Sequence, residues 1–137
     1  MAERLARIRG WGALGIRLGI RAEFRCEYCG RDLLASVDDY KAWAQDHLIP
    51  ANPKSSGPST FENLVIACHP CNSYKGDWDP RSTAGEFASR DGLLRAARAV
   101  IMARRSADQA ALDQTRAVVG WVPRAGVLAA NPTSDIT

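Results

Sequence analysis

Histidine is scarce in this 137-residue chain, lysine nearly so, and long apolar runs are absent: it has two histidines and only three lysines. No segment approaches the ~20 consecutive apolar residues that a membrane-spanning helix needs. The stretch GWGALGIRLGI (10–20) is apolar, but Arg17 interrupts it and no small-residue cleavage site follows, so a signal peptide is not expected and a cytoplasmic address is. No internal repeat is visible. A formal charge of +3, with 46% hydrophobic and 24% charged residues, describes a soluble globular chain one domain long.

What is present is distinctive. Fifteen of the eighteen cations are arginine, gathered at Arg4, Arg7, Arg9, Arg17, Arg21 and Arg25, and again from Arg90 to Arg124. Guanidinium groups suit phosphate oxygens, which they bind through a planar pair of hydrogen bonds. Charge runs are as often simply solvated faces.

Three stretches differ in character. Residues 1–25 read as a basic extension, with a short helix followed by a segment that Gly10, Gly12, Gly15 and Gly19 weaken as helix. Residues 26–80 hold the motifs. In them Ser36 and Asp39 have capping-box spacing ahead of a short helix at 37–44. Strands are expected at 45–49 and 63–68, a Pro- and Gly-rich loop at 50–62, and a helix from about Cys71 that Pro80 limits. In residues 81–137, Leu93, Leu94, Ala97, Val100 and Ile101 share one face of a helix at 91–105. Ser106 and Gln109 have the spacing of a cap for a second helix to about Val119, and a fraying tail follows from Gly120.

Cys26 and Cys29 form one CxxC knuckle, Cys68 and Cys71 another. Two such knuckles wrap a tetrahedral zinc with sulfur about 2.3 Å from the metal, and four thiolates leave no open position, so that zinc is structural. Neither pair opens a βαβ pattern, which argues against a redox role. His69, inside the second knuckle, reads as a solvent-facing knuckle residue. His47 taken alone reads as an ordinary strand histidine. In a flat strand Asp46 and His47 diverge to opposite faces.

Taken together, DHLIP (46–50), ENLVIAC (62–68) and CNSYKG (71–76), bracketed by the knuckles, resemble the HNH endonuclease family in order and spacing over about residues 26–80. That resemblance implies an α+β fold with a ββα-metal core: a hairpin with a long loop packed on one helix. It makes His47 the first H, Asn63 the N, and Asn72 the third position, where the family has histidine or asparagine. His47 would be the general base that activates water, an imidazole titrating near neutrality being suited to the task. Asp46 and Asn72 would offer hard oxygens to a catalytic Mg²⁺ or Mn²⁺. That ion would stabilise the leaving oxygen. Asn63 would tie the loop near His47 and orient its ring.

The implied substrate is double-stranded DNA, cut to 5′-phosphate and 3′-hydroxyl ends. One active site per chain then calls for a homodimer or for sequential nicks. Lys75, Lys54 and Arg81 are candidate phosphate contacts, equally readable as solvated charges. Trp78 is expected to pack on the core. Two other readings compete: a non-catalytic zinc-binding module that contacts nucleic acid through its arginines, and a protein-interaction domain whose zinc holds a scaffold.

Overall fold

The computed structural model describes residues 1–124. Its elements are α1 (Ala2–Leu5), α2 (Ala13–Arg21), α3 (Val37–Lys41), β1 (Trp43–His47), β2 (Leu64–Cys68), α4 (His69–Lys75), α5 (Arg81–Ala84) and α6 (Arg90–Val119). β1 and β2 pair antiparallel, with Trp43 opposite Cys68 and His47 opposite Leu64. α4 follows β2 without a loop and contacts both strands. This is the mixed α+β fold with the hairpin-and-helix unit at its centre. Residues 1–105 form one compact unit and a second begins at Ser106.

The hairpin forms because β2 is apolar throughout and all five of its residues are buried. β1 is two-faced, with Asp46 buried and Gln45 exposed. It covers 43–47 rather than the expected 45–49, because Trp43 and Ala44 pair with Cys68 and Ala67 rather than extending α3, and the pairing ends with His47 opposite Leu64. Ser36 caps α3 as its spacing implies, its Oγ accepting from Asp39 N–H at 3.0 Å while its hydroxyl donates to the Asp39 carboxylate at 2.7 Å. α4 begins at His69, earlier than Cys71, since Cys68 already caps it. It stops at Gly76, whose φ of 52° leaves the helix, well before Pro80.

Two helices differ from the sequence expectation. The glycine-interrupted segment is helical through Gly15 and Gly19, because tertiary packing outweighs propensity. A Cβ at Gly19 would lie 2.8 Å from the Phe24 ring and 3.1 Å from that of Trp43, so glycine is what lets the helix approach. The predicted break at Ser106 is absent. α6 is one helix of 30 residues, with no glycine or proline between Gly92 and Gly120 to stop it. Gln109 donates to Asp113 at 3.0 Å, one turn onward, instead of capping backward to Ser106. In the second unit Arg116 lies 4.2 Å from the centre of the Trp121 ring. The tail expected to fray from Gly120 lies mostly outside the described residues.

Both flanks of the first unit contribute to its core. Leu18 of α2 and Leu93, Leu94, Ala97 and Ile101 of α6 cluster with Leu48, the β2 side chains, Tyr28 and Leu33, and Trp78 packs against them as expected. Arginines fasten this cover. Glu27, inside the first knuckle, accepts from Arg21 at 2.8 Å, from Arg90 at 2.9 Å and from the Ile66 N–H at 2.7 Å, joining α2, α6 and β2. Arg98 donates to the Glu27 carbonyl at 2.7 Å. Arg104 donates to the carbonyls of Tyr74 and Lys75 in the last turn of α4. Much of the arginine excess is therefore internal fastening rather than a phosphate-binding face.

Burial pushes the Glu27 carboxyl up, but Arg21, the Ile66 N–H and Arg90 outweigh it and hold the group below its ordinary value. A depressed carboxyl contributes stability that is complete above the unfolded value of about 4.3 and lost as pH falls through the folded one. Glu27→Gln should therefore lower stability at neutral pH by about 2–3 kcal/mol, the worth of charged hydrogen bonds lost in a nearly buried site. Denaturant melts should show the deficit constant from about pH 7 to 5 and closing below pH ~4. A deficit unchanged by acid would show that the charge is not what matters.

Candidate active site and metal centre

The sulfurs of Cys26, Cys29, Cys68 and Cys71 lie within 4.8 Å of one another, the Cys29 and Cys68 pair at 3.7 Å. Four sulfurs on a tetrahedron around zinc would sit about 3.8 Å apart. The first knuckle closes through Gly30, whose φ is 79° and whose N–H donates to the Cys26 carbonyl at 2.8 Å. The second is the junction of β2 and α4, so His69 is exposed and Cys71 sits buried in the first turn.

With Cys68 accepting hydrogen bonds from Cys26 and Cys71, its thiol is pushed far down, whereas Cys26 is pushed up to about 11 by Cys68, and Cys71 is pushed up by Cys26. Four thiolates this close are stable only around a metal, and the donor set fits zinc. Arg105 of α6 donates to the Cys71 sulfur at 3.2 Å, placing a positive charge against a cluster that would carry two negative ones.

His47 ends β1, and the loop that follows is anchored on it. Asn63 is 6% exposed; its Oδ1 accepts from Ile49 N–H at 2.9 Å, and its Nδ2 donates to the carbonyls of Ile49 and Pro58 at 3.0 and 2.9 Å. The Leu48 N–H donates to the Asn63 carbonyl at 2.8 Å. The loop can return this closely only at Gly57, where a Cβ would fall 1.7 Å from the Ile49 carbonyl oxygen. The return brings Ser59 over the imidazole, its Oγ 2.9 Å from His47 Nε2. Asn63 thus holds the backbone at Pro58, and the neighbouring Ser59 holds the ring.

Asp46 faces the other way and is 8% exposed. Its Oδ2 accepts from Tyr28 OH at 2.6 Å and lies 3.5 Å from Lys75 Nζ. Burial raises the Asp46 carboxyl against the pull of Lys75 and Tyr28, and burial lowers the Lys75 ammonium against the pull of Asp46. The Tyr28 phenol is pushed up by burial and by Asp46 beside it, so it remains a donor. Desolvation thus opposes both charges of the pair.

Lys75 as a phosphate contact is overturned. It lies in the last turn of α4, is fully buried, and donates to the His47 carbonyl at 2.9 Å. It fastens the end of α4 to the end of β1. Asn72 stands one turn earlier on that helix, next to Cys71, half-buried, and its amide makes no hydrogen bond among the described residues. The helix that carries it is fixed by the cysteine cluster at one end and by Lys75 at the other.

Lys54 and Arg81 border an open groove of about 970 Å³ with Asp77, Asp79 and Glu86. Lys54 is exposed. Arg81 donates to Asp79 at 2.7 Å, to the Ser55 carbonyl at 2.9 Å and to Glu86 at 3.4 Å, which occupies most of its fork and leaves little for a phosphate. Tyr28, Ser59 and Lys75 are the site residues that the motifs do not reveal in these roles. Among the described residues, no helix is long and apolar enough to cross a membrane.

Residues 26–77 match a family model, that of the HNH endonucleases. No curated protein and no solved structure matches the chain.

Proposed function

From an HNH endonuclease segment that spans residues 26–77, we propose that the protein is a metal-dependent endonuclease hydrolysing phosphodiester bonds in DNA. The observation that carries this reading is the placement of His47. Its imidazole is half-exposed at a strand end and held through Ser59, with Asp46 buried behind the same strand. A strand histidine serving only the core would be covered.

His47 takes the proton from the attacking water as general base. The Ser59 hydroxyl and Asn63, through the loop backbone, keep the ring from rotating away. Asp46, through the oxygen not taken by Tyr28 and Lys75, and Asn72, through its amide oxygen, would hold Mg²⁺ or Mn²⁺. Two hard protein oxygens suit an ion that keeps several waters. When bound, that ion supplies a positive charge for the phosphate and the leaving 3′ oxygen. Lys75 limits Asp46's hold on the ion, since an ammonium already competes for that carboxylate. Zinc at the four cysteines does no chemistry.

Supercoiled plasmid incubated with Mg²⁺ or Mn²⁺ tests the reading. The wild type should nick or linearise it, and His47→Ala, with equal zinc content, should be slower by about 10²–10⁴-fold. Equal rates would remove His47 from the mechanism. Tight DNA binding without cutting under either ion would turn the protein into a binding module.

A further inference from the structure

The face of β1 that bears His47 continues into a groove with a different chemistry. By alternation Trp43, Gln45 and His47 share one side of the strand and Asp46 the other. At about 3.3 Å per residue, Gln45 and Trp43 stand roughly 7 and 13 Å back along the strand from His47. Beside them opens a groove of about 560 Å³, lined by the rings of Trp11, Tyr40 and Trp43 together with Gln45, Arg9 and Lys41.

Its rings are fixed before any ligand arrives. Trp11 packs edge-on against Trp43 at 4.9 Å and Phe24 at 5.8 Å between ring centres, and its Nε1 donates to Tyr40 OH at 3.0 Å. Yet Tyr40 is 42% exposed, and Trp11 and Trp43 are only half-buried. Arg9 and Lys41 are exposed and in no ion pair among the described residues, unlike Arg21, Arg81 and Arg90. Among the described residues no acidic side chain lines the groove. Fixed aromatic walls, a base-edge hydrogen-bonding group and unneutralised cations are the combination that takes single-stranded nucleic acid.

We propose that this groove receives an unpaired nucleobase of the DNA strand being cut, with Arg9 and Lys41 on the flanking phosphates. The site would then favour DNA in which bases beside the scissile phosphate are unpaired. The inference rests on the nuclease reading for its substrate, and the groove lies entirely outside the groups assigned to catalysis.

The test uses the full chain as His47→Ala, so that binding is measured without cutting, with labelled duplex and the same duplex carrying a short central bubble. The bubble should bind on the order of 10-fold or more tightly than the duplex, the scale of one stacked base. Gly15→Gln fills the groove from α2. Its Cβ would meet only Gln45 Nε2 at 3.8 Å and the Trp11 ring at 3.9 Å, ordinary contacts, so the fold should hold, checked by zinc content and melting. That variant should bring bubble affinity down to the duplex level. Lys41→Gln should weaken bubble binding and shallow its salt dependence by about one phosphate contact.

Equal affinity for bubble and duplex, or a preference that survives Gly15→Gln in a folded protein, would overturn the proposal. So would a parent dimer that Gly15→Gln splits, which would make the groove a self-association surface. Plasmid cutting by the wild type separates the two claims. Cutting without a bubble preference sinks the groove alone, whereas a groove-dependent preference without cutting sinks the nuclease alone.

Discussion

Stripping the zinc, or replacing Cys71 by serine, should unfold the first unit rather than merely inactivate it. A two-stranded hairpin is marginal by itself in water, and here the cysteine cluster joins the knuckle that carries Glu27 and Tyr28 to the junction of β2 and α4. Structural zinc contributes about 10–16 kcal/mol of apparent binding energy to folding, whereas a whole domain is typically stable by about 5–15. Without the metal nothing in the small core makes up that difference. Loss of near-ultraviolet dichroism and of a cooperative melt on chelation, restored by zinc, is the expected result. Three of the four cysteines are buried, so chelation should be slow and limited by local opening, with Cys29, the exposed one, reached first. An apo protein that melts cooperatively at the same temperature would refute the assignment.

Arg105→Ala should be far milder, because a neighbouring guanidinium only offsets part of the cluster's charge. That contrast follows from what local sequence can and cannot encode. The knuckles, the apolar run in ENLVIAC and the Pro- and Gly-rich stretch between the strands are short-range patterns, so the hairpin and the cysteine cluster could be read from the chain, and the resemblance added the loop anchored by Asn63. Partners from distant segments could not. Nothing near Glu27 signals that Arg21 and Arg90 converge on it, and nothing near Ser59 announces a histidine twelve residues earlier in the chain.

Lys75 misleads because lysine is rarely buried. Its burial becomes intelligible only once α4 is laid on β1 and the ammonium faces Asp46. Gly19 misleads in the opposite direction: read as a helix breaker, it is the residue that lets α2 reach the Phe24 and Trp43 rings. The expected pair of C-terminal helices is one helix for a local reason: between Gly92 and Gly120 there is no glycine or proline to stop it. α6 needs no internal stop, since its buried face, Leu93 to Ile101, is complete before Ser106.

Asn72→Ala should cost the nuclease at least as much as His47→Ala, on the order of 10³-fold in rate. Phosphate esters are among the slowest substrates known to hydrolyse without a catalyst, and a general base accounts for only part of the acceleration they require. The remainder must come from fixed charge at the phosphate, which in the proposed mechanism is the ion that Asp46 and Asn72 would hold. The two variants should also fail differently. Loss of His47 should alter how rate depends on pH, since the proposed general base has gone. Loss of Asn72 should depress the rate at every pH and raise the concentration of Mg²⁺ needed for half-maximal activity. Asn72→Asp, which keeps a hard oxygen at the same place and adds a charge, should recover activity and lower that concentration. Zinc content must match throughout, because Cys71 is the preceding residue. Cleavage by Asn72→Ala at the wild-type rate and wild-type Mg²⁺ requirement would remove α4 from the catalytic ion's ligands and leave Asp46 as the only protein oxygen assigned to it.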